Sequence, residues 1–307
     1  MACDDQPSTF TMKSIACASN DRATGEVLFA ALLLVLTAGC GSNPVAKSDR
    51  MAAEAGASRE IIAGAGFDHI GYFRGLSAEA KTVRIYIGGD GQAFLNARQV
   101  ARDPTPRRPV ALQLMLSDPQ PAVYLARPCY HGSAVGPLCH PRNWTMERYS
   151  EAVISSMAAA LGRILERYPQ AEPTLIGYSG GGVIALLVSY RVSEVATVLT
   201  LAAPLDVEEW ASIHGYTPLK GSINPADLPL MRTSLRQIHL QGALDRNVVP
   251  TVAQRFRSQQ SKHPSIQFRI IDGIDHSCCW LDLWPAILAG LGRRTPPAEW
   301  TLVHPNR

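Results

Sequence analysis

The stretch Thr174-Leu175-Ile176-Gly177-Tyr178-Ser179-Gly180-Gly181, continued by Gly182-Val183-Ile184-Ala185-Leu186-Leu187-Val188-Ser189-Tyr190, decides how this chain is read. A short apolar run enters Gly-x-Ser-x-Gly, and the apolar residues after it continue as a helix. Strand, sharp turn and helix in that order would lift a serine hydroxyl at the C-terminal edge of a sheet. Glycine is needed at the flanks because side chains there would collide. The motif alone is weak, and a glycine-rich turn with an incidental serine is the plain alternative. The flanking elements give it weight.

Outward from that turn, short apolar runs alternate with helical stripes from Gly66 onward. Strand candidates are Thr82–Ile87, Ala122–Ala126, Thr174–Ile176, Ala196–Leu201, Gln237–Leu240 and Ile266–Ile271. The clearest helix is predicted over Met146–Tyr168, with Thr145 as N-cap and Pro169 after its end. This alternation predicts an α/β class with a mostly parallel sheet and helices on both faces. Hydrophobic residues are 46% and charged residues 18% of the 307, which excludes global disorder. The net charge is +3, lysine occurs only five times and the arginines are scattered, so nucleic acid is not an expected partner.

At Ser179 the chain resembles the α/β-hydrolase family, over roughly Gly66 to the C-terminus. The resemblance implies that fold, and the order nucleophile, acid, histidine along the chain. A serine hydroxyl needs a base to take its proton. His276, in Asp272-Gly273-Ile274-Asp275-His276-Ser277 after the last strand candidate, stands where the family carries its catalytic histidine. His304 is a tail residue and His239 alternates within a strand candidate. Asp245, in Gly242-Ala243-Leu244-Asp245-Arg246-Asn247-Val248-Val249-Pro250, resembles the family's acid loop. Asp206 occupies an alternative acid position, while Asp272 and Asp275 lie too close to His276 in sequence to be favoured.

An oxyanion requires preorganised amides. The resemblance assigns one to Gly180, and the second to the loop Gly88-Gly89-Asp90-Gly91-Gln92, with Asp90-Gly91 standing where many members carry His-Gly. That register makes the Gln92 amide the second donor, with Gly91 next in line. Arg127-Pro128-Cys129-Tyr130 and Trp144–Ser150 also resemble segments of a subgroup of exported bacterial α/β hydrolases of undefined substrate.

Val27–Ala38 is an apolar run of 12 residues, too short to span a bilayer and suited to a secretory signal. Leu36-Thr37-Ala38-Gly39-Cys40 resembles the lipobox of bacterial lipoproteins, with Thr37 in place of the usual leucine and acids Asp21 and Glu26 in a long leader. The expected organisation is a signal over 1–39, lipidation at Cys40, a tether over 40–65 and the folded domain over 66–307. The resemblance implies an exported, envelope-bound protein, in the outer membrane where the host has one. In an oxidising compartment Cys129, Cys139, Cys278 and Cys279 would be free to pair, and Cys129 with Cys139 is the favoured bridge. A zinc set of Cys129, His131, Cys139 and His140 lacks a recognised spacing, and a cysteine nucleophile beside His276 would leave the Ser179 turn unexplained.

Pro204–Pro229 separates two strand candidates and is expected to form a cap or substrate wall. The resemblance implies a serine hydrolase acting on an ester-type bond of a small-molecule acyl substrate, with no metal or organic cofactor. A peptidase, amidase or thioesterase with the same triad, and a non-catalytic envelope lipoprotein using the fold for binding, are the alternatives.

Overall fold

The structure, a computed structural model, describes residues 43–291 except 97, 134–135 and 230–232. The expected signal over 1–39, the lipidation at Cys40 and the tail residue His304 lie outside the described residues.

Ten strands and seven α-helices are formed among the described residues. In chain order they begin with helix α1 (Pro44–Glu54) and strands β1 (Ser58–Ala63), β2 (Asp68–Arg74) and β3 (Thr82–Ile87). A small hairpin, β4 (Phe94–Asn96) and β5 (Gln99–Val100), precedes α2 (Val110–Leu116) and β6 (Ala122–Leu125). Then come α3 (Glu151–Glu166), β7 (Glu172–Tyr178), α4 (Gly180–Ser189), β8 (Thr197–Leu201) and α5 (Val207–Ile213). The chain closes with β9 (Arg236–Gly242), α6 (Gln254–Gln259), β10 (Ile266–Ile271) and α7 (Trp280–Leu291).

Eight strands make one sheet in the order β1-β2-β6-β3-β7-β8-β9-β10. From β6 to β10 all pairings are parallel, and only β1–β2 and β2–β6 are antiparallel. Period-two alternation divides the core. In β3, Val83, Ile85 and Ile87 join α3 and α4 on one face, while Tyr86 joins α2 and α7 on the other. Every residue of α4 is buried, as its unbroken apolar composition demands. The six strand candidates are all strands, most with bounds shifted by a few residues.

Two expectations are corrected. The tether over 40–65 is folded where it is described: Asn43 caps α1 by accepting from the Val45 amide at 2.9 Å, and β1 pairs with β2 in the main sheet. Its small residues serve close packing, with Ser48 and Ala52 buried, so among the described residues the fold already includes the segment ahead of Gly66. The long helix begins at Glu151, not Met146, with Ser150 accepting from the Val153 amide as N-cap. Thr145 cannot cap it, because its hydroxyl donates back to the Pro141 carbonyl at 2.8 Å. Among the described residues no helix is long and apolar enough to cross a membrane.

Candidate active site

The C-terminal ends of β3, β7, β9 and β10 bring four loops to one rim of the sheet. Ser179 sits on the turn from β7 to α4 with φ 53° and ψ −129°, a backbone state that costs energy for any residue with a Cβ. The surrounding backbone holds it there. The Ser179 amide donates to the Leu201 carbonyl at 2.8 Å, and the Gly182 amide donates to the Ser179 carbonyl at 2.9 Å. A Cβ on Gly177 would stand 2.3 Å from the Gly181 carbonyl oxygen, and one on Gly181 would stand 2.2 Å from that of Ile87. Only glycine lets the strand, the turn and the helix approach this closely.

The Ser179 hydroxyl lies 3.1 Å from His276 Nε2, and His276 Nδ1 lies 2.8 Å from Asp245 Oδ2. An ionised carboxylate only accepts, so Nδ1 carries the proton and Nε2 is left to accept from the serine. Asp245 Oδ1 accepts from the amides of Asn247 and Val248, each at 2.8 Å, which fixes the buried carboxylate. The acid and histidine loops are tied together by the Ala243 amide donating to Ile271 and the Leu244 amide donating to Ile274, both at 2.9 Å. The His276 carbonyl accepts from the Tyr178 hydroxyl at 2.7 Å and the Trp280 indole at 3.1 Å. The histidine loop is thereby fastened to the residue before the serine.

Asp206 is placed otherwise. It caps α5 through the Glu209 amide and accepts from Asn224 and Arg255. Burial opposes its ionisation, but those partners outweigh burial and hold its carboxyl below the usual range. Asp275 turns back to the amides of Ser277 and Cys278, and Asp272 is exposed.

The Gly180 amide opens α4 and has no acceptor in the helix, as the first amide of a helix does not. The Gln92 assignment is corrected: its amide already donates to the Pro104 carbonyl at 2.9 Å, so it is not free for an oxyanion. The same bend carries Gly91, at φ 62°, against Pro104. Gly89 is the residue of this loop that packs on Ser179, since a Cβ there would lie 3.1 Å from Ser179 Cβ. Among the described residues, the amides of this loop that meet no acceptor belong to Gly88 through Gly91.

A charged cluster beneath this loop was not read from the sequence. Asp90 accepts from Arg127, from Arg148 at 2.7 Å and from the Tyr149 hydroxyl at 2.8 Å, while its carbonyl accepts from Tyr130 at 2.9 Å. Burial alone would raise the Asp90 carboxyl, but Arg148 and Arg127 outweigh it and bring it down to about 2. The signal was present: Arg127–Tyr130 and Trp144–Ser150, singled out as segments without a role, converge on Asp90.

Cys129 and Cys139 are joined by a disulfide, as are Cys278 and Cys279. The first bond takes two sulphurs from the alternative zinc set, and the second leaves no thiol beside His276. Among the described residues no group of three or more His, Cys, Asp or Glu side chains could hold a metal ion.

A cavity of about 930 Å³ opens over Ser179 and His276. Within Pro204–Pro229, helix α5 and the turn after it supply Trp210, Tyr216 and Leu219 to its wall. The Trp210 indole donates to the Asn247 carbonyl at 3.0 Å, which ties this wall to the acid loop.

This architecture is the α/β-hydrolase fold. Solved structures share it at low identity: an esterase of Pyrococcus furiosus is 12% identical, with 79% of this chain and 92% of that chain covered and a TM-score of 0.53. An acylaminoacyl peptidase of Pyrococcus horikoshii is 11% identical over 79% of this chain and 42% of that one, also with a TM-score of 0.53. An α/β serine hydrolase without lid from Xanthomonas campestris is 13% identical over 79% and 96%, with a TM-score of 0.50. No family model and no curated protein matches the sequence.

Proposed function

We propose that the chain is a serine hydrolase that cleaves an ester-type bond of a small acyl substrate through an acyl-enzyme on Ser179. The observation that carries this reading is the unbroken line Ser179 Oγ, His276 Nε2, His276 Nδ1, Asp245 Oδ2, with steps of 3.1 and 2.8 Å. In it Ser179 attacks the acyl carbonyl as His276 takes the hydroxyl proton, and Asp245 stabilises the imidazolium. The Gly180 amide and an amide of the Gly89–Gly91 turn receive the tetrahedral oxyanion. His276 returns its proton to the departing alkoxide, and water then repeats both steps on the acyl-enzyme.

A fluorophosphonate should label the wild type and not Ser179→Ala. An unlabelled wild type would leave the fold as a binding module. Steady-state rates on matched ester, amide and thioester substrates test the bond, and a faster amide would replace the ester reading.

We also infer export and a lipid anchor at Cys40, on the strength of the lipobox-like residues; bridging of Cys129 to Cys139 suits an oxidising compartment. Cys40→Ala should move the protein from the membrane to the soluble fraction, and a wild type already soluble would remove the anchor.

A further inference from the structure

We propose that the substrate carries, besides its acyl bond, an anionic oxygen group (carboxylate or phosphate) that Arg148 binds inside the cavity and Arg108 attracts at its mouth. This deepens the reading of Ser179 as an acyl-transfer nucleophile and rests on it.

Charges beneath Ser179 do not balance. Asp90 is one anion, and it holds two cations, Arg127 and Arg148, whose side chains are 1% and 8% exposed. The neighbouring Tyr149 and Tyr130 supply no second anion: burial raises both phenols, and Tyr130 reaches about 12. The cluster therefore keeps one positive charge in excess at neutral pH, and a buried charge without a counter-ion is costly.

Arg148 is the cation that faces the cavity. Its Nε donates to the Thr145 carbonyl at 2.6 Å and its Nη1 to Asp90, while Nη2 meets no acceptor among the described residues. A guanidinium with one edge anchored and another open suits an oxyanion, which it can bind through parallel N–H donors. The position also suits a group joined to the reacting acyl. The Asp90 carboxylate lies against Gly180, where a Cβ would be 2.1 Å from Oδ1, so Arg148 stands one side chain away from the nucleophile turn.

The rest of the cavity agrees. Asp90, already neutralised, is the one carboxylate among its lining residues. Arg107 and Arg108 reach its mouth, both exposed and neither side chain paired among the described residues. An anion meets no repelling charge along this path, and the field draws it inward.

Three esters of matched length test the proposal: methyl pentanoate, monomethyl glutarate and methyl 4-phosphonobutanoate, followed by proton release at constant pH. We expect kcat/KM for at least one anionic ester to exceed that for methyl pentanoate by about tenfold or more. The better of the two anions identifies the group. Arg148→Met should bring the ratio toward one, Arg148→Lys should restore part of it, and the exposed Arg108→Gln should lower it separately without a folding risk. A wild-type ratio of one or below, or a ratio unchanged in both Arg148→Met and Arg108→Gln, overturns the proposal. Equilibrium binding to Ser179→Ala keeps the test independent of turnover: monomethyl glutarate or methyl 4-phosphonobutanoate should bind more tightly than methyl pentanoate. Equal binding of all three overturns the anion site. Failure of phosphonate labelling with anion-selective binding intact would overturn the hydrolase reading alone.

Discussion

Asp245 divides its work between two oxygens: Oδ1 is held by two backbone amides and Oδ2 faces the imidazole. Asp245→Asn keeps the amide contacts at Oδ1 but offers an NH2 to Nδ1, which favours the wrong tautomer. Ester kcat should fall about 10³–10⁴-fold with KM little changed, as measured in steady state. A drop below tenfold would argue that His276 is oriented by other groups. These three residues were legible because each follows an apolar run and the chain order of the resemblance limits the choice. The Asp90 cluster was legible only as two segments without a role, since its partners lie 37 to 59 residues away and no local spacing links them. Gln92 failed for a different reason. The position of a donor in a turn depends on where the backbone bends, and here the bend spends that amide on Pro104.

The helix α3 shows how an apolar stripe can overrun its element. Met146 and Tyr149 match the period of the helix, yet Met146 borders the cavity and Tyr149 hydrogen-bonds Asp90 from outside the helix. Tyr149 is buried and Met146 is exposed at the cavity's border, so a match to the period fixes neither burial nor the start of the helix. Ser150 is the observed cap, so Ser150→Ala should destabilise the fold by about 1 kcal/mol in urea unfolding, with Thr145→Ala leaving the start of α3 unchanged. Equal losses for both would reinstate the earlier start. The segment before β2 was misread because small residues suit linkers and tight packing alike. β2 itself lacks alternation, with five successive buried residues from His69 to Phe73, so period-two reading passes over it.

For the whole molecule, three of the buried histidines, His69, His131 and His239, shape the response to acid. Burial lowers His69 to about 4 and His131 and His239 to about 3, well below the ordinary value. Each is neutral when folded and takes a proton when unfolded below about pH 6.5. The stability they contribute is complete above that pH and is lost as pH falls toward their folded values, at about 1.4 kcal/mol per pH unit per histidine. Urea midpoints should hold steady from pH 8 to 7 and then decline steeply, with cooperative unfolding near pH ~4.5. A midpoint constant down to pH 5 would contradict the burial of all three.

The carbonyl of His276, gripped at once by Tyr178 and Trp280, has a wider meaning under the proposed hydrolase reading. Base and nucleophile are kept at working distance by the scaffold, so no cargo is required to arm them. Such a machine has no checkpoint at the chemical step. On that reading discrimination among small acyl compounds is left to the doorway and to the charges that line it.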